Sequence, residues 1–186
     1  MNNPLGSAAE FLISTLFDLY FLIMLLRFLL QIFRADFYNP LSQFIVRATN
    51  PILVPMRRVI PGFGGIDASA VIALIALKMM QFALLAAIAG IAPSPSRLAA
   101  IALADLLQTT VYVFIFAIII QVVISWVSPG LHNPMANLLS SLTEPLLRPI
   151  RRVLPPFSGI DFSTLVVLLL LQLVLILFVR PLQGLI

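Results

Sequence analysis

The chain has 186 residues, 61% of them apolar and 10% charged, with a formal net charge of +4 and a mean hydropathy of +1.12. A soluble domain carries about 25% charged residues, so lipid has to solvate much of this surface, and eleven Lys and Arg residues dispersed through apolar sequence argue against a nucleic-acid groove. The absence of cysteine excludes disulfides, thiolate metal sites, iron–sulfur clusters and a Cys nucleophile, and a single histidine, His132, argues against a zinc or haem site.

A hydrocarbon core of roughly 30 Å needs about 20 apolar residues as a helix. The first stretch of that length is 11–33, and its flank Met1–Glu10 carries no Lys or Arg, unlike a signal peptide. Asn39-Pro40 then reads as a helix start, with Asn capping and Pro in the first turn, where no N–H is needed. Leu41, Phe44, Ile45, Ala48 and Ile52 recur at helical spacing against Ser42, Gln43, Arg47 and Asn50, the pattern of a short helix in the membrane interface. Pro51-x-x-x-Pro55-x-Arg57-Arg58-x-x-Pro61 follows, and prolines at this spacing predict a stiff segment that is not one continuous helix. The paired arginines could grip phosphate head groups, pair with an acidic partner, or mark the cytoplasmic face. Gly65-Ile66-Asp67-x-Ser69 reads as a turn and an Asp N-cap, and Asp67 could also bridge back to Arg58.

The second expected span is 68–91. A linker, 92–102, contains Pro93-Ser94-Pro95-Ser96, a breaker run, and the third span is 103–127. The second loop repeats the first, and the last span is 162–179. The loops hold Arg34, Arg47, Arg57 and Arg58, and Arg148, Arg151 and Arg152, against Arg97 and Arg180 on the other side. That asymmetry predicts cytoplasmic loops and periplasmic termini for a multi-pass protein.

Shifting the chain by 94 residues superposes its halves without a gap. Asn39-Pro40 falls on Asn133-Pro134, and thirteen of 21 positions from Thr49 to Ser69 are identical to those from Thr143 to Ser163. The spans match only in being apolar. The expected fold is therefore an all-α membrane protein of four transmembrane helices. They form two repeated helix–loop–helix units, 1–91 and 103–186, each with an interfacial amphipathic helix in its cytoplasmic loop.

The residues Pro51, Pro55, Arg57, Arg58, Pro61, Gly65, Ile66 and Asp67 recur as Pro145, Pro149, Arg151, Arg152, Pro155, Gly159, Ile160 and Asp161. This doubled pattern resembles the YggT (YlmG-like) family of bacterial and plastid integral membrane proteins and covers nearly the whole chain. Pro156, where the first copy has Gly62, is a slight departure. The resemblance implies a bacterial inner-membrane protein with no established enzymatic activity and no cofactor. Enterobacterial relatives are linked to osmotic-stress tolerance and potassium uptake, others to cell-division genes, and plastid relatives to nucleoid distribution and cytochrome maturation.

No second acid, base or nucleophile repeats beside Asp67 or Asp161, so no catalytic or metal site is expected. Ionisable residues inside spans are functional candidates. Arg27 lies near enough to the cytoplasmic end to snorkel. Asp18 and Lys78 lie about 15 and 11 residues deep, a difference of roughly 6 Å at about 1.5 Å per residue, within a lysine's reach. They are the expected intramembrane pair, with Tyr112 and Gln172 as a neutral counterpart, and exchanging the two charges should rescue either single loss. The expected partners are anionic lipid head groups at Arg57, Arg58, Arg151 and Arg152, and a membrane protein or second copy. Small residues Ala83, Ala86, Ala87 and Gly90 permit close helix approach. The leading expectation is a non-enzymatic assembly or modulating factor, with a small channel or transport subunit affecting ion balance as the alternative.

Overall fold

A computed structural model describes residues 4–62, 64–127, 134–154 and 161–184. These residues form six helices: α1 (Pro4–Ile32), α2 (Pro40–Val59), α3 (Ala68–Ile88), α4 (Pro95–Val127), α5 (Pro134–Val153) and α6 (Phe162–Val174), which continues through one π-helical turn, Leu175–Val179, to Gly184. Four are long and apolar enough to cross a membrane: α1, α3, α4 and the helix Phe162–Gln183. No more than 28% of the residues in any span's most apolar stretch are buried against protein, so most of each helix surface is left for lipid.

Helix ends follow local chemistry. The α3 stop is a Schellman motif: Gly90, at φ 70°, donates to Ala87, and Ile91 donates to Ala86 over 2.8 Å. The span thus ends at Ile88 rather than at 91. The same motif closes α1, where Ala35 donates to Leu30 over 2.9 Å and Arg34 to Gln31 over 3.2 Å. Here the left-handed position is held by Arg34, at φ 52°, where Gly is the usual occupant because it has no Cβ to clash. α4 begins at Pro95, well before Leu103, so the second half of the expected linker is helical and Ala102 is fully buried.

α2 and α5 are each continuous across two internal prolines, Pro51 and Pro55 in α2 and Pro145 and Pro149 in α5. This corrects the irregular segment expected from the proline spacing. A proline removes one helical N–H and crowds the carbonyl four residues earlier, here those of Arg47 and Pro51 in α2, yet both helices run through. α1 braces α2 beside Pro51: Tyr20 Oη donates to Ala48 O over 3.2 Å, and Arg27 Nη1 to Val46 O over 2.9 Å.

The core gathers Phe21, Met24 and Leu25 of α1, Leu53 of α2, Leu74 of α3 and Phe114 of α4. Phe33 and Phe114 meet edge to face at 5.7 Å between centroids. α1 packs chiefly on α3, α3 on α4, and α4 on α5, so the two halves of the chain share one apolar interior.

Candidate functional site

The spacing from Arg57 to Asp67, repeated from Arg151 to Asp161, brings the end of α2 onto the start of α3. Asp67 caps α3 by accepting from Ala70 N over 3.3 Å. Its other oxygen, Oδ2, accepts from Arg57 Nε at 2.9 Å and also from Arg57 Nη2. Asp67 is buried, and one carboxylate therefore satisfies a helix terminus and fixes a guanidinium. The partner is Arg57, where the sequence pointed to Arg58. Ser69, fully buried, donates to Ile60 O over 2.7 Å, so the turn is closed from both flanks.

The second loop is built alike. Asp161 Oδ1 accepts from Ser163 N over 3.0 Å and from the Ser163 hydroxyl, while Oδ2 accepts from Arg151 Nε over 2.8 Å. Arg151 Nη1 also donates to Glu144 Oε2 over 2.8 Å. Burial raises the Asp161 carboxyl, but hydrogen bonds from Ser163 and Arg151 outweigh it and hold the group below the ordinary carboxylate value. Asn133, Pro155, Pro156, Gly159, Ile160 and His132 lie outside the described residues.

The paired arginines thus divide. Arg57 and Arg151 are held inside their loops. Arg58 and Arg152 are exposed and have no side-chain partner among the described residues, as are Arg34, Arg47 and Arg148. Five of the seven loop arginines therefore present unpaired charge.

Arg27 does not snorkel. It is buried, and Nη1 donates to Thr49 Oγ1 over 2.8 Å and Asn50 Oδ1 over 2.9 Å besides Val46 O. Ninety-four residues on, Gln121 Oε1 accepts from Thr143 Oγ1. Positions 27 and 121 accordingly tie a long helix to the buried threonine of its loop helix, with a charged group in α1 and a neutral one in α4. Asn39 Nδ2 donates to Pro134 O over 2.7 Å and joins the two loop helices at their starts.

Between the spans, Lys78 Nζ lies 2.7 Å from Asp18 Oδ1 and 2.8 Å from Asp105 Oδ2. The Asp105 contact is an ion pair by distance, but its geometry falls outside a hydrogen bond. Gln81 Nε2 also donates to Asp18 Oδ1, over 2.9 Å, and Lys78 Nζ sits 4.5 Å from the Phe21 ring centroid. Asp105 was not singled out in the sequence, although it lies inside the expected third span, 103–127. The signal that could have found it is the rarity of any carboxylate in an apolar run, since one unpaired charge at mid-membrane costs about 2.5–3.5 kcal/mol on insertion scales. The tie anticipated between Tyr112 and Gln172 is not formed: both are exposed, and no hydrogen bond joins them among the described residues.

An apolar groove of about 560 Å³ opens between α1, α2, α4 and α5. Leu22, Ile23, Leu26, Leu41, Phe44 and Ile45 line it, and so do the residues 94 positions on, Phe116, Ala117, Ile120, Met135, Leu138 and Leu139. Among the described residues no cluster of His, Cys, Asp and Glu could hold a metal ion.

The CCB3/YggT family model matches the chain twice, over residues 6–88 and 100–182. An uncharacterized protein of Pseudomonas aeruginosa is 44% identical over 182 residues, covering 97% of this chain and 92% of its own length. A protein of Vibrio alginolyticus is 41% identical over 168 residues, covering 89% and 90%. The uncharacterized protein YggT of Escherichia coli K12 is 39% identical over 173 residues, covering 88% and 85%. No solved structure matches the chain. Two tandem matches and relatives aligned over most of their length place it plainly: the chain belongs to the CCB3/YggT family.

Proposed function

We propose that this protein is a non-enzymatic membrane scaffold that presents two rigid basic loops to anionic lipid head groups at the cytoplasmic face of a bacterial inner membrane. The observation that carries this reading is the division of the arginine pairs. Arg57 and Arg151 lock each loop, which leaves Arg58 and Arg152 exposed on a backbone that cannot fold away from the surface. A basic residue near an anionic membrane contributes about 1 kcal/mol, so several on fixed helices bias which lipids surround the protein.

α2 and α5 serve as the interfacial helices in this reading. Ser42, Thr49 and Leu53 of α2 face protein, while Phe44, Ile52 and Leu41 remain exposed, as suits a helix lying between head groups and chains. The apolar groove beside them accommodates hydrocarbon. A role in osmotic-stress tolerance, implied by the family resemblance, would follow from ordering lipid or a neighbouring membrane system. Because the chain lacks cysteine, single substitutions Gln43→Cys and Ser96→Cys report topology by labelling from the cytoplasmic and periplasmic sides respectively.

The alternative, a small channel or transport subunit, is tested by reconstitution in liposomes under a potassium gradient. The scaffold reading expects flux no greater than protein-free liposomes show. Reproducible flux that scales with protein would overturn it.

A further inference from the structure

The Asp18–Lys78–Asp105 cluster is short of positive charge and of hydrogen-bond donors. Two carboxylates face one ammonium, which leaves a formal charge of −1 beside the midpoint of α3. Gln81 Oε1 and Asp105 Oδ2 are buried acceptors without a hydrogen-bond donor, and Gln81 is 3% exposed. Lys78 is already engaged by both carboxylates and by the Phe21 ring. Arg97 borders the same cavity as Asp105, but it lies eight residues earlier on α4, about 12 Å along the helix.

Asp18 is where this deficit reaches the surface. Its side chain is 55% exposed, on a face of α1 that also exposes Phe11, Thr15 and Leu22, seven, three and four residues away along the helix. Charged side chains at this depth face a protein interior or a water-filled cavity, because hydrocarbon cannot solvate them. Lipid head groups lie at the interface, beyond the reach of a group near the middle of α1.

We propose that the Asp18 face of α1 is the docking site for a membrane-spanning helix of a different protein, one that carries Lys or Arg at mid-depth. The charge it answers is the unbalanced carboxylate of the cluster. A second copy of this chain does not fit. Its mid-span basic residues, Arg27 and Lys78, are both buried and engaged, and Arg97 and Arg180 sit near the outer ends of their helices. A two-fold contact through this face would also set Asp18 against Asp18. Exposed Phe11 and Leu22 flanking a single ion pair suit helix association, in which packing supplies contact and a polar tie supplies register.

The test places a photo-crosslinking residue at Thr15, one turn from Asp18 on the same face, in the full-length protein in its native membrane, with Leu169 on α6 as the control position. The expected result is an adduct, identified by mass spectrometry, with a membrane protein whose span carries Lys or Arg. Asp18→Asn should lower its yield about tenfold, the effect of losing one polar tie of this kind, and Asp18→Glu should retain it. Asp18→Lys combined with an acidic substitution of the partner's basic residue should restore it. Purified Asp18→Asn protein keeps the Lys78–Asp105 pair, so an unchanged melting temperature separates lost docking from lost folding. Should Asp18→Asn melt lower, the decision rests on Asp18→Glu and the charge exchange. No adduct, adducts only with this same chain, a partner without a basic residue in its span, or a yield indifferent to Asp18→Asn would each overturn the proposal.

Discussion

Helices α1–α3 and α4–α6 hold their loops from equivalent positions with different chemistry. Arg27 inserts a guanidinium into α2 and donates to three acceptors there, whereas Gln121 bonds to α5 through Thr143 alone among the described residues. The clamp carboxylate Asp67 is 4% exposed in its side chain, and Asp161 is 32% exposed. The charged cluster has no counterpart in α4–α6: Tyr112, Gln172 and Leu175 stand where Asp18, Lys78 and Gln81 do. One half is thus fastened by more deeply buried charge, and the other by packing, neutral contacts and the more exposed Arg151 ion pairs. Because a buried charge that loses its partner is left stranded, the first half should respond more sharply to substitution.

The largest effects are expected in the first half. Lys78→Met leaves Asp18 and Asp105 facing each other without a cation and should destabilise the purified protein by about 3 kcal/mol. Adding Asp18→Asn and Asp105→Asn should recover most of that loss, as read by thermal unfolding in detergent. Simple exchange of Asp18 and Lys78 should rescue poorly, because the carboxylate moved to position 78 would meet Asp105. Arg27→Met removes a charged donor from three acceptors and should cost about 3 kcal/mol, against about 1 kcal/mol for Gln121→Ala. Equal losses at these two positions would remove the asymmetry between the halves.

A smaller effect is expected with pH. The Asp161 carboxyl is held below its ordinary value by Ser163 and Arg151, so the folded state binds its proton less readily than the unfolded chain does. Its contribution to stability is present above the unfolded carboxylate value of about 3.9. It is lost as pH falls through the lower folded value. Asp161→Asn should flatten that part of the stability profile below about pH 4; an unchanged profile would place the acid sensitivity elsewhere. The smallest effect is at Arg34, where Arg34→Gly should stabilise the end of α1 by up to about 1 kcal/mol by relieving the left-handed conformation.

The apolar runs made the four long helices legible in sequence, because their length and composition leave few alternatives. Asn39, Asp67 and Asp161 were legible as caps, since each stands just before a helix and needs only its own neighbours to act. Asp18 and Lys78 could be placed near each other from depth alone. Contacts that depend on three-dimensional neighbours were not legible. Tyr20 and Arg27 of α1 reach carbonyls of α2 beside Pro51, and no local pattern announces that. Asp105 joins Lys78 across the boundary between the halves, so a search for ties within one half passes over it. The choice of Arg57 over Arg58 for Asp67 depends on which side of α2 turns toward α3.

The division of the arginine pairs is the centre of the account, and one paired comparison tests it directly. Arg57→Gln with Arg151→Gln, and separately Arg58→Gln with Arg152→Gln, would be purified and compared for melting temperature and for retention of phosphatidylglycerol over phosphatidylcholine. The account predicts that the first pair lowers the melting temperature. The second should leave it unchanged and weaken phosphatidylglycerol retention by about 1 kcal/mol per arginine. Retention unaffected by loss of Arg58 and Arg152, or a melting temperature that falls with them and not with Arg57 and Arg151, would contradict it.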